Sequence, residues 1–362
     1  MSFEATQTTH AHSGFIANWR PTPIATCLLL ATAAVFADNE TDNDEDGQSS
    51  GYCSTTAKLL FQSCAAETVE DFYKSQAICI NVSDAAMRKS CLADTKTARR
   101  DGRKLCREQL VGRRSACQSL GEARYDPIIN PAEFDNDFSK LPNSNRYFPL
   151  KIGNKWEYHG EGEHIAIEIL NRTKLIAGLT CVVFRDQVSM DGKLSEDTDD
   201  WFAQAKNGDV YYCGEEVKDY KSFDGDKPSK PELVKIDGTF KWGRDGDKGG
   251  VFFRALPKQG DVYREEFSAR NAEDVAQVLS TTYQFGVDPE LDRYVPPQLA
   301  SLLCHGDCVV TKNINLNEPG AAARKYYAPG LGSILEVNLN TGQIVQLVNC
   351  NFDSRCGHLP KP

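Results

Sequence analysis

Two regimes of hydrophobic patterning divide the chain. Across residues 147–348 apolar and polar positions alternate with a period near two, and β-branched and aromatic residues sit between turn signals, a pattern that predicts strands. Asp191-Gly192 and Asn207-Gly208 read as hairpin turns joining strands at 179–190, 194–205 and 210–216. Further strands are expected at 155–160, 164–170, 250–255, 262–269, 275–285, 308–314, 324–327, 333–339 and 344–348. About a dozen strands without a helix form an antiparallel β-domain, either a barrel or a strongly curved sandwich.

Residues 53–122 lack that alternation. Ala, Lys, Leu, Glu, Gln and Arg dominate, and no proline falls between Cys53 and Tyr125. Six cysteines stand at 53, 64, 79, 91, 106 and 117, with gaps of 11, 15, 12, 15 and 11. At about 100° per residue the first three share one helical edge and the last three another. Two antiparallel helices turning at residues 81–84, with Ser83 or Asp84 capping the second, produce that mirror spacing. The predicted bonds are Cys53–Cys117, Cys64–Cys106 and Cys79–Cys91. A two-helix hairpin has little interior to bury, so covalent closure at roughly 3 kcal/mol per bond suits it. Metal clusters favour closer C-x(2–4)-C spacing. The fold class is α+β: a disulfide-stapled antiparallel helical hairpin followed by a mostly antiparallel β-domain.

The expected order is a secretion signal at 1–37, an acidic linker at 38–52, the hairpin at 53–122, a linker at 123–146, the β-domain at 147–349 and a tail at 350–362. Arg20 precedes an apolar run over 24–36, and Val35-Phe36-Ala37 offers a cleavage site. That run is too short to span a bilayer, so no transmembrane segment is expected in the mature chain, which is secreted or periplasmic. Export would put 12 of the 13 cysteines in an oxidising compartment.

Charge refines the picture. The net charge of −10 argues against non-specific nucleic-acid binding. Residues 38–52 hold six acids and no base, whereas 53–124 hold 13 bases and eight acids. Lys89, Lys96, Arg100, Arg103, Arg107 and Arg114 fall within about 60° on the second helix. The stripe suits an acidic partner, the chain's own acidic stretch, or plain solvation. Asp42, Asp44, Asp46 and Gly47 start a calcium-loop pattern, but Cys53 stands where that motif needs a bidentate Glu.

Catalytic motifs are scarce. No phosphate loop, dinucleotide turn, zinc helix or nucleophile elbow occurs, and only His159, His164, His305 and His358 follow residue 37. Cys304-His305-Gly306-Asp307-Cys308 suits zinc or copper, or else disulfide bonding. The pairs Asp199/Asp200, Glu215/Glu216 and Glu265/Glu266 could supply carboxylates for glycoside hydrolysis, with Trp201 and Tyr212 as sugar platforms. Neighbours on a strand point oppositely, so only one member of each pair can enter a cavity. With two-residue turns Cys181 and Cys213 lie two strands apart, about 9–10 Å, and are expected not to bond. Cys350–Cys356 is expected as a local bond, and the partners of the remaining cysteines stay open.

Several phrases resemble a family of uncharacterised secreted bacterial proteins. They are Tyr147-Phe148-Pro149-Leu150 with Gly153 and Trp156, Asp199-Asp200-Trp201-Phe202-Ala203-Gln204, and Asn207-Gly208-Asp209-Val210-Tyr211-Tyr212. Tyr263-Arg264-Glu265-Glu266 and Lys325-Tyr326-Tyr327-Ala328-Pro329-Gly330-Leu331-Gly332 complete the set. The resemblance implies an exported β-rich fold and no particular activity; the six-cysteine segment is similar to an N-terminal addition in some members. The functional expectation is an exported non-enzymatic binding or assembly module without a cofactor. It would take a small apolar ligand or a protein partner, with Trp201, Tyr212, Tyr263, Glu266 and Tyr326 as ligand-binding candidates. The alternatives are a hydrolase using Asp200 or Glu266, and a metal-binding protein using the acidic linker or the 304–308 loop.

Overall fold

The computed structural model describes residues 51–160 and 162–362. These fall into two compact units, 51–124 and 125–362. The stretch expected as a signal, the expected acidic linker up to residue 50 and the start of the calcium-loop pattern lie outside the described residues.

The first unit is the helical hairpin. Helix α1 spans Tyr52–Ile80 and α2 spans Ala85–Leu120. Asp84 caps α2 by accepting from Met87 N at 2.8 Å, while Asn81 closes α1 through its amide on Ala77 O. All three expected bonds are present, Cys53–Cys117, Cys64–Cys106 and Cys79–Cys91, with Cα separations of 5.7, 5.7 and 5.5 Å. The seam is otherwise small or polar: Ala57, Thr68, Thr95, Gln109 and Ala116 are buried. Gly102 faces Thr68 so closely that a Cβ would sit 3.1 Å from its methyl. Large residues such as Leu59, Tyr73, Ile80 and Val111 stay exposed, so the disulfides take the place of a hydrophobic core. At the open end Glu122 accepts from Ser54 N at 2.8 Å, and those Ser54 bonds hold its carboxyl below the usual range.

The second unit is an antiparallel, nearly closed, barrel-like sheet. Its strands are β1 Lys155–His159, β2 Glu163–Ile176, β3 Leu179–Met190, β4 Lys193–Gln204 and β5 Val210–Glu216. Short strands follow: β6 Asp219–Lys221, β7 Glu232–Lys235, β8 Phe240–Lys241, β9 Lys248–Phe253, β10 Val262–Arg264 and β11 Glu266–Phe267. Then come β12 Asp274–Gln284, β13 His305–Asn315, β14 Ala323–Ala328, β15 Gly332–Asn338 and β16 Ile344–Cys350. The spatial order is β10-β12-β13-β14-β15-β16-β1-β2-β3-β4-β5-β9-β11, and β10 lies against β9, drawing the two ends of the path together. Two short helices, α3 Pro289–Asp292 and α4 Pro297–Leu303, fall in the 288–304 stretch where no helix was expected. Each begins with proline at its first turn, a start signal that alternation does not carry.

Alternation decides what faces inward. Ile165, Ile167 and Ile169 of β2, Val182 and Phe184 of β3 and Phe202 of β4 belong to the main core. There Phe148, Phe202, Tyr212 and Phe252 pack with ring centroids 4.8–5.7 Å apart. A smaller cluster of Cys181, Val183, Trp201, Ala203, Cys213 and Trp242 covers the other face. The stretch expected as a linker packs onto the sheet from residue 125 onward. Tyr125 donates to Gly249 O, Phe134 bridges to Ala205, and Asn145 is buried among the backbone of 147, 148 and 208.

Cys181 and Cys213 are bonded, with Cα atoms 6.7 Å apart, contrary to the register argument. Unbroken ladders with two-residue turns would set both cysteines opposite Phe202. Instead β3 slips at Val188/Ser189, which sets Val182 opposite Phe202. The β4–β5 ladder then bulges, pairing Trp201 with Gly214 but Phe202 with Tyr212. Cys213 is the extra residue, and the bulge turns it to the face that holds Cys181. Ala203, on the intervening strand and the same face, leaves room for the bridge. Cys350–Cys356 forms as expected, and Cys304 bonds Cys308.

Candidate functional site

The inner wall of β4 and β5 carries acids where a core would ordinarily be apolar. Glu196, Thr198 and Asp200 alternate along β4 with Phe202, and Glu215 of β5 is the cross-strand partner of Asp200. Asp200 and Glu215 are each 1% exposed and Glu266 is 2% exposed. Asp199 and Glu216, the other members of their pairs, face outward and bind Arg172 and Lys218. The sidedness expected of those two pairs is therefore present. Glu265 and Glu266 depart from it: both are buried, because the break between β10 and β11 falls at residue 265.

Tyr212 donates its hydroxyl to Asp200 Oδ1. Burial, then the Glu215 charge, pushes the Asp200 carboxyl well above its ordinary range, and the Tyr212 hydrogen bond pulls the other way. Burial and the neighbouring Asp200, Glu215 and Glu266 raise the Tyr212 phenol as well. The tyrosine, a carboxyl raised by burial and a second carboxyl are the parts of an acid–base couple. They are shut away from solvent. The nearby aromatic cavity lined by Phe148, Trp156, Phe184, Phe252, Tyr327 and Ser333 has a free volume of about 20 Å³, the size of a water molecule or so.

A second polar group centres on Lys325 of β14. Its Nζ lies 3.5 Å from Glu336, and both side chains are buried. Glu265 accepts the Asn313 amide at 3.0 and 2.9 Å, and burial raises its carboxyl to about 8 against the opposing pull of Lys325. Tyr263 is buried beside this group, and its hydroxyl has no hydrogen-bond partner among the described residues.

The five candidate ligand residues do not share one site. Tyr212 and Glu266 belong to the acidic wall, and Tyr263 to the Lys325 group. Tyr326 faces away from Lys325, donating to Leu291 O of α3 and packing on Tyr283 at 5.0 Å. Trp201 lies on the outer face, where Lys174 Nζ and Lys241 Nζ sit 4.1 and 4.8 Å from its ring centroid. That ring is 2% exposed, so it offers no platform for a sugar. The two lysines were not singled out in the sequence: Lys174 follows the end expected for its strand, and Lys241 lies on a two-residue strand without a readable pattern.

The 304–308 loop does not supply thiolates, since both sulfurs are in a disulfide. Among the described residues no group of three or more His, Cys, Asp or Glu side chains is placed to hold a metal ion, and no helix is long and apolar enough to cross a membrane. On the hairpin, Lys89, Lys96, Arg100, Arg103, Arg107 and Arg114 are all exposed along one uninterrupted helix, a line about 38 Å long. Arg100 pairs with Asp101 at 3.2 Å. Compared with protein-family models, with curated proteins and with solved structures, the chain matches none.

Proposed function

We propose that this chain is an exported, non-enzymatic binding module whose stapled hairpin presents the cationic line of α2 to an acidic segment of a partner protein. The observation that carries the reading is that line: six exposed cations on one face of a helix joined to α1 by three disulfides. A rigid row of charges binds an acidic chain without having to order itself first. Six disulfides suit an oxidising compartment, which supports export. The burial of Asp200, Glu215 and Glu266 supports the non-enzymatic side, because a hydrolase needs its carboxyls open to substrate and water.

The test uses the oxidised full chain and poly-glutamate as probe. Wild type is expected to bind in a salt-sensitive manner, and the variant Lys96→Glu/Arg103→Glu/Arg107→Glu more than about tenfold more weakly. Equal binding by the two, or binding indifferent to salt, would overturn the reading. The hydrolase alternative draws on the raised carboxyl of Asp200 beside Glu215; it requires turnover of a glycoside or ester that Asp200→Asn abolishes.

A further inference from the structure

The outer face of the β-unit brings two ammonium groups together over one indole ring. Lys174 enters from β2 and Lys241 from β8, four strands apart in the sheet, yet both Nζ atoms lie within 5 Å of the Trp201 ring centroid. The backbone is shaped for this meeting. Trp201, Gly214 and Lys241 lie in one cross-strand row. Gly214 has φ +142°, and a Cβ there would sit 2.4 Å from Phe240 O, so only glycine lets β8 close in. The Cys181–Cys213 bond packs in the same cluster as Trp201.

Neither lysine makes an ion pair with a described residue. The nearby acids have closer partners: Glu216, whose charge also attracts both lysines, binds Lys218 at 2.9 Å, and Asp199 binds Arg172 at 2.9 Å. Arg244, three residues beyond Lys241, adds positive charge to the neighbourhood while pairing with Asp245 at 3.5 Å. Burial first, then Lys174, then Arg244 holds the Lys241 ammonium below its usual value. The indole face attracts cations, but by only about 0.5–2 kcal/mol each, and two like charges side by side repel.

We propose that Lys174 and Lys241 form a binding site for a tetrahedral dianion, a phosphoryl or sulfuryl group borne by a ligand. Two ammonium point charges, each with three donors, match a tetrahedral oxyanion, which presents acceptor oxygens in several directions at once. Trp201 holds the lysines in place beneath it rather than stacking on the ligand. The site is separate from the hairpin line, lies on the face opposite the buried acids, and does not depend on either reading of those features.

The experiment titrates the oxidised full chain with inorganic phosphate and with sulfate, against chloride and acetate at matched ionic strength. Calorimetry reads binding, and NMR of isotope-labelled lysine reads the Lys241 ammonium. Phosphate or sulfate is expected to bind one to one and to raise the pH at which Lys241 titrates; the tighter of the two identifies the ester. Lys241→Met keeps the aliphatic cover over Trp201 and removes a repelling charge, so it is expected to be at least as stable as wild type while losing binding tenfold or more. Lys174→Met is expected to do the same. Phosphate and sulfate acting no differently from chloride and acetate would overturn the proposal, as would stable variants that bind like wild type.

Discussion

Glu265 accepts both of its hydrogen bonds from one Asn313 amide while buried next to Lys325, and it titrates near 8. Its folded pKa therefore lies above its ordinary 4.5, and the folded state binds the proton more tightly. The stability this contributes is fully present below pH 4.5 and is lost as pH rises through 8, at up to about 1.4 kcal/mol per unit crossed. Asp200 is shifted in the same direction by the same cause. Urea unfolding at pH 5 and pH 8 is expected to show lower stability at pH 8, and Glu265→Gln is expected to reduce the difference. A Gln variant with the wild-type slope would remove Glu265 as its source. Asn145 offers a second test at this scale. Its side chain accepts from Tyr147 N and Phe148 N and donates to Gly208 O, all buried, so Asn145→Ala is expected to cost about 3 kcal/mol in urea unfolding. Alternation along β4 and β5 made the sidedness of Asp200 and Glu215 legible. It did not separate Tyr326 from Tyr212, because both are aromatic residues in strands and only the placement of α3 shows which face Tyr326 serves.

At the scale of elements, the hairpin was readable because its information is periodic and covalent. Mirror spacing of cysteines admits few geometries, and α1, α2 and their three rungs follow from it. With so little apolar burial in the seam, Cys64→Ala/Cys106→Ala is expected to cost the hairpin about 3 kcal/mol, seen as earlier loss of helical circular dichroism in urea. The long strands were equally legible, since β3 matches the expected 179–190 segment end to end. The short ones were not: β6, β7 and β8 have two to four residues each, too few for a period to register. The missed Cys181–Cys213 bond has a related cause. A single bulge resets every later pairing, and nothing in Gly208 to Glu216 announces where the extra residue will fall.

At the scale of the molecule, the boundary between units lies at residue 124, earlier than the proline-rich turns suggested. Asp-Pro and Asn-Pro steps mark irregular backbone, and irregular backbone can be packed as firmly as a strand when its groups find partners, as Asn145 and Tyr125 do. Two compact units predict two separable transitions: the cysteine double variant should shift the helical signal and leave the near-ultraviolet signal of the β-unit's packed aromatics in place. Disulfide mapping of the oxidised chain should return six peptide pairs, Cys181–Cys213 among them; a free thiol at either position would contradict the bulge.

Residue order alone determined the two-rod, three-rung hairpin, the antiparallel β-unit after it, the inward or outward side of most strand residues and the single cationic face of α2. Each of these is a local or strictly periodic property, set by helix and strand geometry and by covalent spacing. Only the tertiary structure decided that a bulge bonds Cys181 to Cys213, that five aromatic and acidic candidates go to separate places, and that Lys174 and Lys241 meet over Trp201. Those outcomes depend on register and closure across many strands, where one inserted residue changes every later neighbour and no short stretch of chain records the sum.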